Sequence, residues 1–279
     1  MTTSLAAVVV LYHPDGTLLD NINSYINDID TLFIVDNSTS INTSIVTLIS
    51  VHPKVCYIHN AENRGIAQAL NVGITLAIQK GYRFLLMMDQ DSALNIKCLQ
   101  RLQETLDTNP NAFMASASYN IQKVEKKIHK SLTSITSGSM LRLSMIPSIG
   151  LHDEKLFIDY VDFEYTLRAT TLGYDILTVE DAKMSHKLGN FEQKTILFFN
   201  TYITNHPPLR KYYRLRNSLY VWRKYILQFP LWVITDIARS LKDICKSILL
   251  EPSPLLQLKA YFLGFKDFLL SCYGKRELL

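Results

Sequence analysis

The chain has few cysteines, only four in 279 residues, and they are scattered. Cys56, Cys98, Cys245 and Cys272 follow no zinc or disulfide spacing, a pattern that fits reduced thiols in a cytosolic compartment. Long apolar runs are also lacking, and none approaches the ~18 residues that span a bilayer. The longest candidate, 225–235, lies between Lys224 and Asp236 and contains Pro230. The opening Met1-Thr-Thr-Ser has no basic residue of a secretory signal, and 5–11 reads as a first strand. Both glycine-rich phosphate fingerprints, the Walker loop and the dinucleotide motif, are missing. There is no internal repeat and no low-complexity tract. These gaps argue against a membrane-spanning protein, a disulfide scaffold and a P-loop enzyme.

What is present is an ordinary globular composition, 48% hydrophobic and 19% charged, enough for a proper core. The net charge of +4 hides a division. Residues 206–279 hold 13 Lys/Arg against 5 Asp/Glu, leaving 16 against 20 for 1–205. Such asymmetry points the basic end toward something anionic.

One stretch organises the rest. Phe84-Leu-Leu-Met-Met-Asp-Gln-Asp-Ser runs five apolar residues straight into two carboxylates. The apolar run reads as a strand buried on both faces, and the carboxyl ends of such strands are where open α/β sheets bind ligands. Asp89 and Asp91 are two hard oxygen ligands one residue apart, which suit Mg²⁺ or Mn²⁺ completed by substrate phosphates and water. Alternatively the four residues form a solvated turn in which Asp91 or Ser92 caps the next helix.

The pattern predicts strands at 5–11, 31–35, 54–59 and 83–88. Helices are expected at 17–27 (capped by Thr17), from Asn42, at 66–79 (ended by Gly81) and at 95–107. That alternation implies a mostly parallel sheet covered on both faces. From 112 to 143 short alternating pieces suggest antiparallel strands and a loop, and the Lys123–Lys130 run reads as a solvated hairpin or loop. A helix is expected from Phe157 to Leu172, then a strand at 174–179. Beyond Pro208 the chain reads as helical, with breaks at Pro230 and at 252–254.

Other polar residues fall where the crevice would form. Asp36 could accept from a pyrimidine N–H, Tyr12 offers an aromatic face, and Arg64 could pair with a phosphate at the start of the following helix. Equally, Asp36 and Asn63 are common turn and cap formers. Asp159, Asp162 and Glu164 crowd the entrance of a helix, with Asp162 singled out as a base. His186 follows a strand and could complete a metal site, although a lone histidine often has only a structural role. In the basic end, Arg210, Arg214 and Arg216 sit with Tyr212, Tyr213, Tyr220 and Trp222, which fits an interfacial platform on anionic lipid. The alternative is a packed helical appendage with a solvated basic face.

Asp89-Gln-Asp-Ser, preceded by Asn63-Arg-Gly-Ile-Ala-Gln-Ala-Leu-Asn and followed by Phe157-Ile-Asp-Tyr-Val-Asp-Phe-Glu, resembles the rhamnosyltransferases of glycosyltransferase family two. Tyr12-His-Pro, Val35-Asp-Asn-Ser, Ser185-His-Lys-Leu-Gly and Arg210-Lys-Tyr-Tyr-Arg-Leu-Arg-Asn agree with it. The resemblance implies a GT-A fold, a Rossmann-like α/β sheet with helices on both faces and a helical C-terminal appendage. The change of pattern after 115 and the basic helical end suggest domains at 1–205 (a nucleotide half to 115, an acceptor half after) and 206–279. The resemblance further implies inverting transfer from dTDP-L-rhamnose, with Mg²⁺ or Mn²⁺, to a lipid-linked oligosaccharide of a bacterial surface polysaccharide such as O-antigen.

Carried over, Asp91 is the main metal carboxylate, Asp89 contacts ribose or metal, and His186 meets metal or diphosphate. Asp36 holds the base, while Tyr12, Asn63, Arg64 and Gln90 serve the nucleotide sugar. Asp162 is the catalytic base, preceded by Val161 where many family members carry Glu. The expected setting is the inner face of the cytoplasmic membrane, with an anionic lipid surface as partner and no nucleic acid. Rival readings are transfer from a UDP- or GDP-linked sugar, a sugar-nucleotide pyrophosphorylase, whose glycine-rich amino-terminal loop is missing, or a non-catalytic polysaccharide- or lipid-binding module.

Overall fold

The structure is a computed structural model that describes residues 4–119, 127–186, 192–196, 199–203 and 205–276. The chain forms two compact units, Met1–Asp153 with Val161–Lys187, and Glu154–Tyr160 with Leu188–Leu279.

The first unit opens with β1 (Leu5–Leu11), α1 (Thr17–Asn23), β2 (Thr31–Asp36), α2 (Thr43–Ser50), β3 (Val55–His59), α3 (Ile66–Gln79) and β4 (Phe84–Asp89). Then come β5 (Ser92–Ala93), α4 (Ile96–Thr108), β6 (Ala112–Ser118), β7 (Ile128–Lys130), β8 (Ser139–Arg142) and the short α5 (Ile146–Ile149). The unit closes with α6 (Val161–Thr171), β9 (Asp175–Lys183) and β10 (Ser185–His186). The sheet order is β3-β2-β1-β4-β8-β6-β9-β7. β1 to β4 run parallel, β8 runs against both β4 and β6, and β9 is parallel to β6. The carboxyl ends of β1, β2, β3, β4, β6 and β9 therefore share one edge.

Every residue of β1 is buried, as a strand covered on both faces requires. α3 lies close on it, because a Cβ added at Gly73 would fall 2.3 Å from Val8 Cγ2. Asn42 and Asn95 cap α2 and α4 by accepting from the amides of Ile45 and Cys98. The first helix departs from its expected form. Asp15, not Thr17, closes its start by accepting from the Thr17 amide and hydroxyl, and it stops at Asn23. The antiparallel pairing expected over 112–143 is present between β6 and β8, while on its other side β6 lies parallel to β9, its residues buried on both faces. Of the 123–130 run, residues 123–126 lie outside the described part, and Ile128–Lys130 pairs with β9 as a sheet strand.

The second unit contains an antiparallel pair, β11 (Glu192–Ile196) and β12 (Phe199–Ile203), and three helices. These are α7 (Pro208–Tyr225), α8 (Pro230–Leu250) and α9 (Pro254–Leu269), each begun by a proline, those of α8 and α9 lying at the expected breaks. No helix among the described residues is long and apolar enough to cross a membrane. The expected aromatic platform on 210–224 is not on the surface. Tyr212, Tyr213 and Arg216 are buried, with Phe157 stacked on Tyr213. Tyr212 donates to Asp267, and Arg216 donates to the carbonyls of Gly274 and Lys155.

Candidate active site

The register brings the strand-end residues together. Val10 pairs with Asp89, and Leu11 pairs with Asp36, which pairs in turn with His59. Tyr12, Asp36 and Asp89 thus line one edge of three adjacent strands. Gln90 tightens this row, its Oε1 accepting from the Tyr12 amide at 2.9 Å and its Nε2 donating to the Tyr12 carbonyl at 3.3 Å. Asn21 holds the Gln90 carbonyl from α1. The Tyr12 ring stays exposed beside His13.

Asp36 is fully buried, with one oxygen accepting from the Ser38 amide at 2.8 Å and the other from the Tyr57 hydroxyl at 2.7 Å. Burial, and then this bond, raises the Tyr57 pKa above its ordinary value. The Asp36-Asn-Ser turn is tied on both sides. Ser38 Oγ accepts from the His13 amide, and Asn37 donates to the Gly65 carbonyl and accepts from Asn60. Asn63 turns the chain into α3 by accepting from the Gly65 amide at 2.9 Å. Gly65 there has φ 85°, a conformation that glycine adopts without cost. Arg64 is exposed at this helix start and touches Glu62 at 3.2 Å, a surface contact of little strength.

The Asp-Gln-Asp-Ser turn is braced from below. Ser137 Oγ accepts from the Asp89 amide at 3.1 Å and donates to Ser92 Oγ at 2.8 Å. Ser92, fully buried, reaches Asp91 Oδ1 at 3.5 Å and lies directly across from His186 in the β5–β10 pair. The backbone of His186 therefore sits beside the acidic turn, while its side chain lies outside the described part. Among the described residues no group of three His, Cys, Asp or Glu side chains is placed to hold a metal. Two carboxylates at a strand end fit Mg²⁺ or Mn²⁺, which take their other ligands from phosphate and water, and do not make a closed zinc site.

The three carboxylates expected together at one helix entrance are divided. The helix begins only at Val161, because Phe157, Asp159 and Tyr160 have φ of 58°, 62° and 64°. Asp159 pairs with Arg210 in the second unit. Glu164, fully buried, is held by Arg168 one turn along at 3.1 and 2.8 Å. Asp162 stays in the first turn of α6, half-buried, with Oδ1 accepting from the Phe163 amide. α6 packs on β9 and joins it through the turn at Gly173, which puts the Asp162 end at the carboxyl edge of the sheet.

Sequence reasoning missed Ser137, Tyr57 and Asn60. The Thr136-Ser-Gly-Ser run was the visible signal for Ser137. Nothing local marks Tyr57 or Asn60, whose partners lie 21 and 23 residues away. A cavity of about 60 Å³ in the second unit, lined by His206, Lys211 and Arg214, holds little more than water. Lys211 there pairs with Glu251 and Arg214 with Asp243.

A mixed, mainly parallel sheet with helices around it and polar residues gathered at its carboxyl edge is the architecture of a GT-A glycosyltransferase. Residues 7–163 match Glycosyl transferase family 2, and the chain belongs to that family. It is 32% identical over 250 residues to the dTDP-rhamnosyl transferase RfbF of Shigella flexneri, covering 80% of this chain and 81% of that protein. The galactofuranosyltransferase GlfT1 of Mycobacterium tuberculosis is 24% identical over 252 residues, 79% of this chain and 83% of that one. Among solved structures, GalNAc-T7 with UDP, GalNAc and Mn²⁺ matches 95% of this chain with a TM-score of 0.63 at 13% identity. S. aureus TarS matches 96% with a TM-score of 0.56 at 15% identity. The chain spans 56% and 49% of those two chains, about half of each.

Proposed function

We propose that this glycosyltransferase moves L-rhamnose from dTDP-β-L-rhamnose to a hydroxyl of a growing bacterial surface polysaccharide, with inversion. The likeness to the Shigella dTDP-rhamnosyl transferase over four fifths of both chains supports the donor. The observation that carries the chemistry is the alignment of Asp36, Tyr12 and Asp89 on one sheet edge, with Asp91 in the turn just before β5 and His186 on β10, which pairs with β5. Asp89, Asp91 and His186 would hold a Mg²⁺ or Mn²⁺ ion, which offsets the charge of the departing diphosphate when bound.

The chain's own residues do the rest. Tyr12, held in place by Gln90, gives the base a face, and buried Asp36 orders the turn beneath it. Asn63 shapes the start of α3, where Arg64 and the first amides meet phosphate. The acceptor hydroxyl attacks the anomeric carbon as the sugar–phosphate bond breaks, dTDP departs, and the Asp162 carboxylate takes the hydroxyl proton. One displacement inverts the centre and needs no enzyme nucleophile. The acceptor rides on a lipid carrier, and the protein works at the inner membrane face.

The test is slow donor hydrolysis, measured with Mn²⁺ and a panel of dTDP-, UDP- and GDP-linked sugars. Release of dTDP from dTDP-rhamnose above the others supports the reading. Turnover of a UDP-linked galactofuranose instead replaces the donor, and turnover of none sinks the assignment.

A further inference from the structure

α8 and α9 are built inside out. A water-soluble helix turns its apolar stripe to the core and its polar face to solvent. α8 instead buries Asp236, Ser240 and Ser247 with Val233. α9 buries Gln257, Ala260, Gly264 and Asp267. The buried carboxylates have partners within the unit. Asp236 accepts from Tyr160 and Trp222, and Asp267 accepts from Tyr212 and pairs with Arg276.

The most exposed apolar residues point the other way. On α8, Leu231 is 80% exposed, and Ile234, Leu241 and Leu249 are exposed with it. At about 100° per residue these four fall in one stripe. On α9, Leu255, Leu258, Phe262, Phe265 and Leu269 form the same kind of stripe, with Phe262 66% exposed. Both stripes have a cationic border. Arg239, Lys242 and Lys246 run along that of α8, and Lys259 and Lys266 along that of α9. Asp243 is the one exposed acid of the two helices, and Arg214 already pairs with it.

We propose that these two faces lie in the headgroup region of an anionic lipid surface, leucines and phenylalanines inserted and lysines at the phosphates. The inference rests on the membrane location proposed above and supplies its surface, without using the donor site. An apolar stripe edged by Lys and Arg is the chemistry of helices that lie in a membrane interface. A second copy of this chain would bring the same cations face to face, so charge favours lipid. The surface is not the aromatic helix α7, whose Tyr212, Tyr213 and Arg216 are interior.

The test is flotation of the full chain with vesicles of phosphatidylcholine alone and with about a third phosphatidylglycerol. Binding is expected to the anionic vesicles and to weaken with salt. Leu231→Ser with Leu241→Ser, and separately Phe262→Ser with Phe265→Ser, should each weaken it at least about tenfold. Lys242→Glu with Lys259→Glu should remove the preference for anionic lipid. All variants should keep the wild-type thermal midpoint and donor hydrolysis in detergent-free buffer. Wild-type protein that stays unbound, or that binds both vesicle types and all variants alike, overturns the proposal. A concentration-dependent dimer broken by the Leu→Ser pairs, without vesicle binding, assigns the faces to a second copy instead. Vesicle binding without any sugar-nucleotide turnover leaves this surface standing and sinks the transferase assignment alone.

Discussion

At the scale of single residues, one buried histidine makes the acid stability of this protein predictable. Burial, with the Arg168 charge beside it, holds the His152 imidazole down to about 3, against an ordinary value near 6.5. The folded chain stays neutral there while the unfolded chain takes a proton. Its contribution is therefore whole above pH 6.5 and is lost as pH falls from 6.5 toward 3. Denaturant titrations should show about 2 kcal/mol lost between pH 8 and pH 5 through this group, and His152→Phe should be flatter by about that amount. Identical pH slopes would remove the assignment. Ser137 makes a second prediction, since its hydroxyl joins the Asp89 amide to Ser92. Ser137→Ala should cost about 1 kcal/mol in stability and loosen donor binding, with Ser137→Thr restoring part of it. An unchanged donor KM in Ser137→Ala would reduce Ser137 to a packing residue.

At the scale of elements, the strands and most helix starts were readable because their determinants are local, Thr17 being the exception. The apolar run 84–88, the asparagines at 42 and 95 and the helix-opening prolines at 208, 230 and 254 all act within a few residues. The start of α6 was not readable. The 157–160 segment looks helical by pattern, but its left-handed residues are imposed from 60 positions away. Asn217 Nδ2 donates to the carbonyls of Leu156, Ile158 and Asp159 at 2.6, 2.7 and 3.1 Å. Left-handed non-glycine residues cost of order 1 kcal/mol each and persist only where such partners over-determine them. Asp162 follows directly on this held segment. Asn217→Leu should therefore lower kcat more than it raises donor KM, and equal losses in both would place its effect elsewhere. Packing of α3 on β1 gives a plainer test. Gly73→Ala should destabilise by about 1–3 kcal/mol in thermal melts, relieved by Val8→Ala.

At the scale of the whole molecule, the charge division was visible in composition but its use was not. Counting Lys and Arg over 206–279 could not tell that Arg216 and Lys211 face inward to carbonyls and to Glu251. Nor could it tell that the lysines of α8 and α9 border exposed leucines. The carboxyl edge of the sheet was more legible, because each strand end carries its polar residue where the apolar run stops, and the parallel register aligns them. In the proposed reaction this edge grips a nucleoside diphosphate through the acidic turn. Asp91→Ala should lower transfer by about 10³-fold, as expected when several kcal/mol of charge stabilisation are removed. Most direct is calorimetric titration of dTDP into wild type and Asp91→Ala, each with Mn²⁺ and with chelator. Binding that needs both Mn²⁺ and Asp91 is the predicted result. Equal binding in all four titrations would contradict the account.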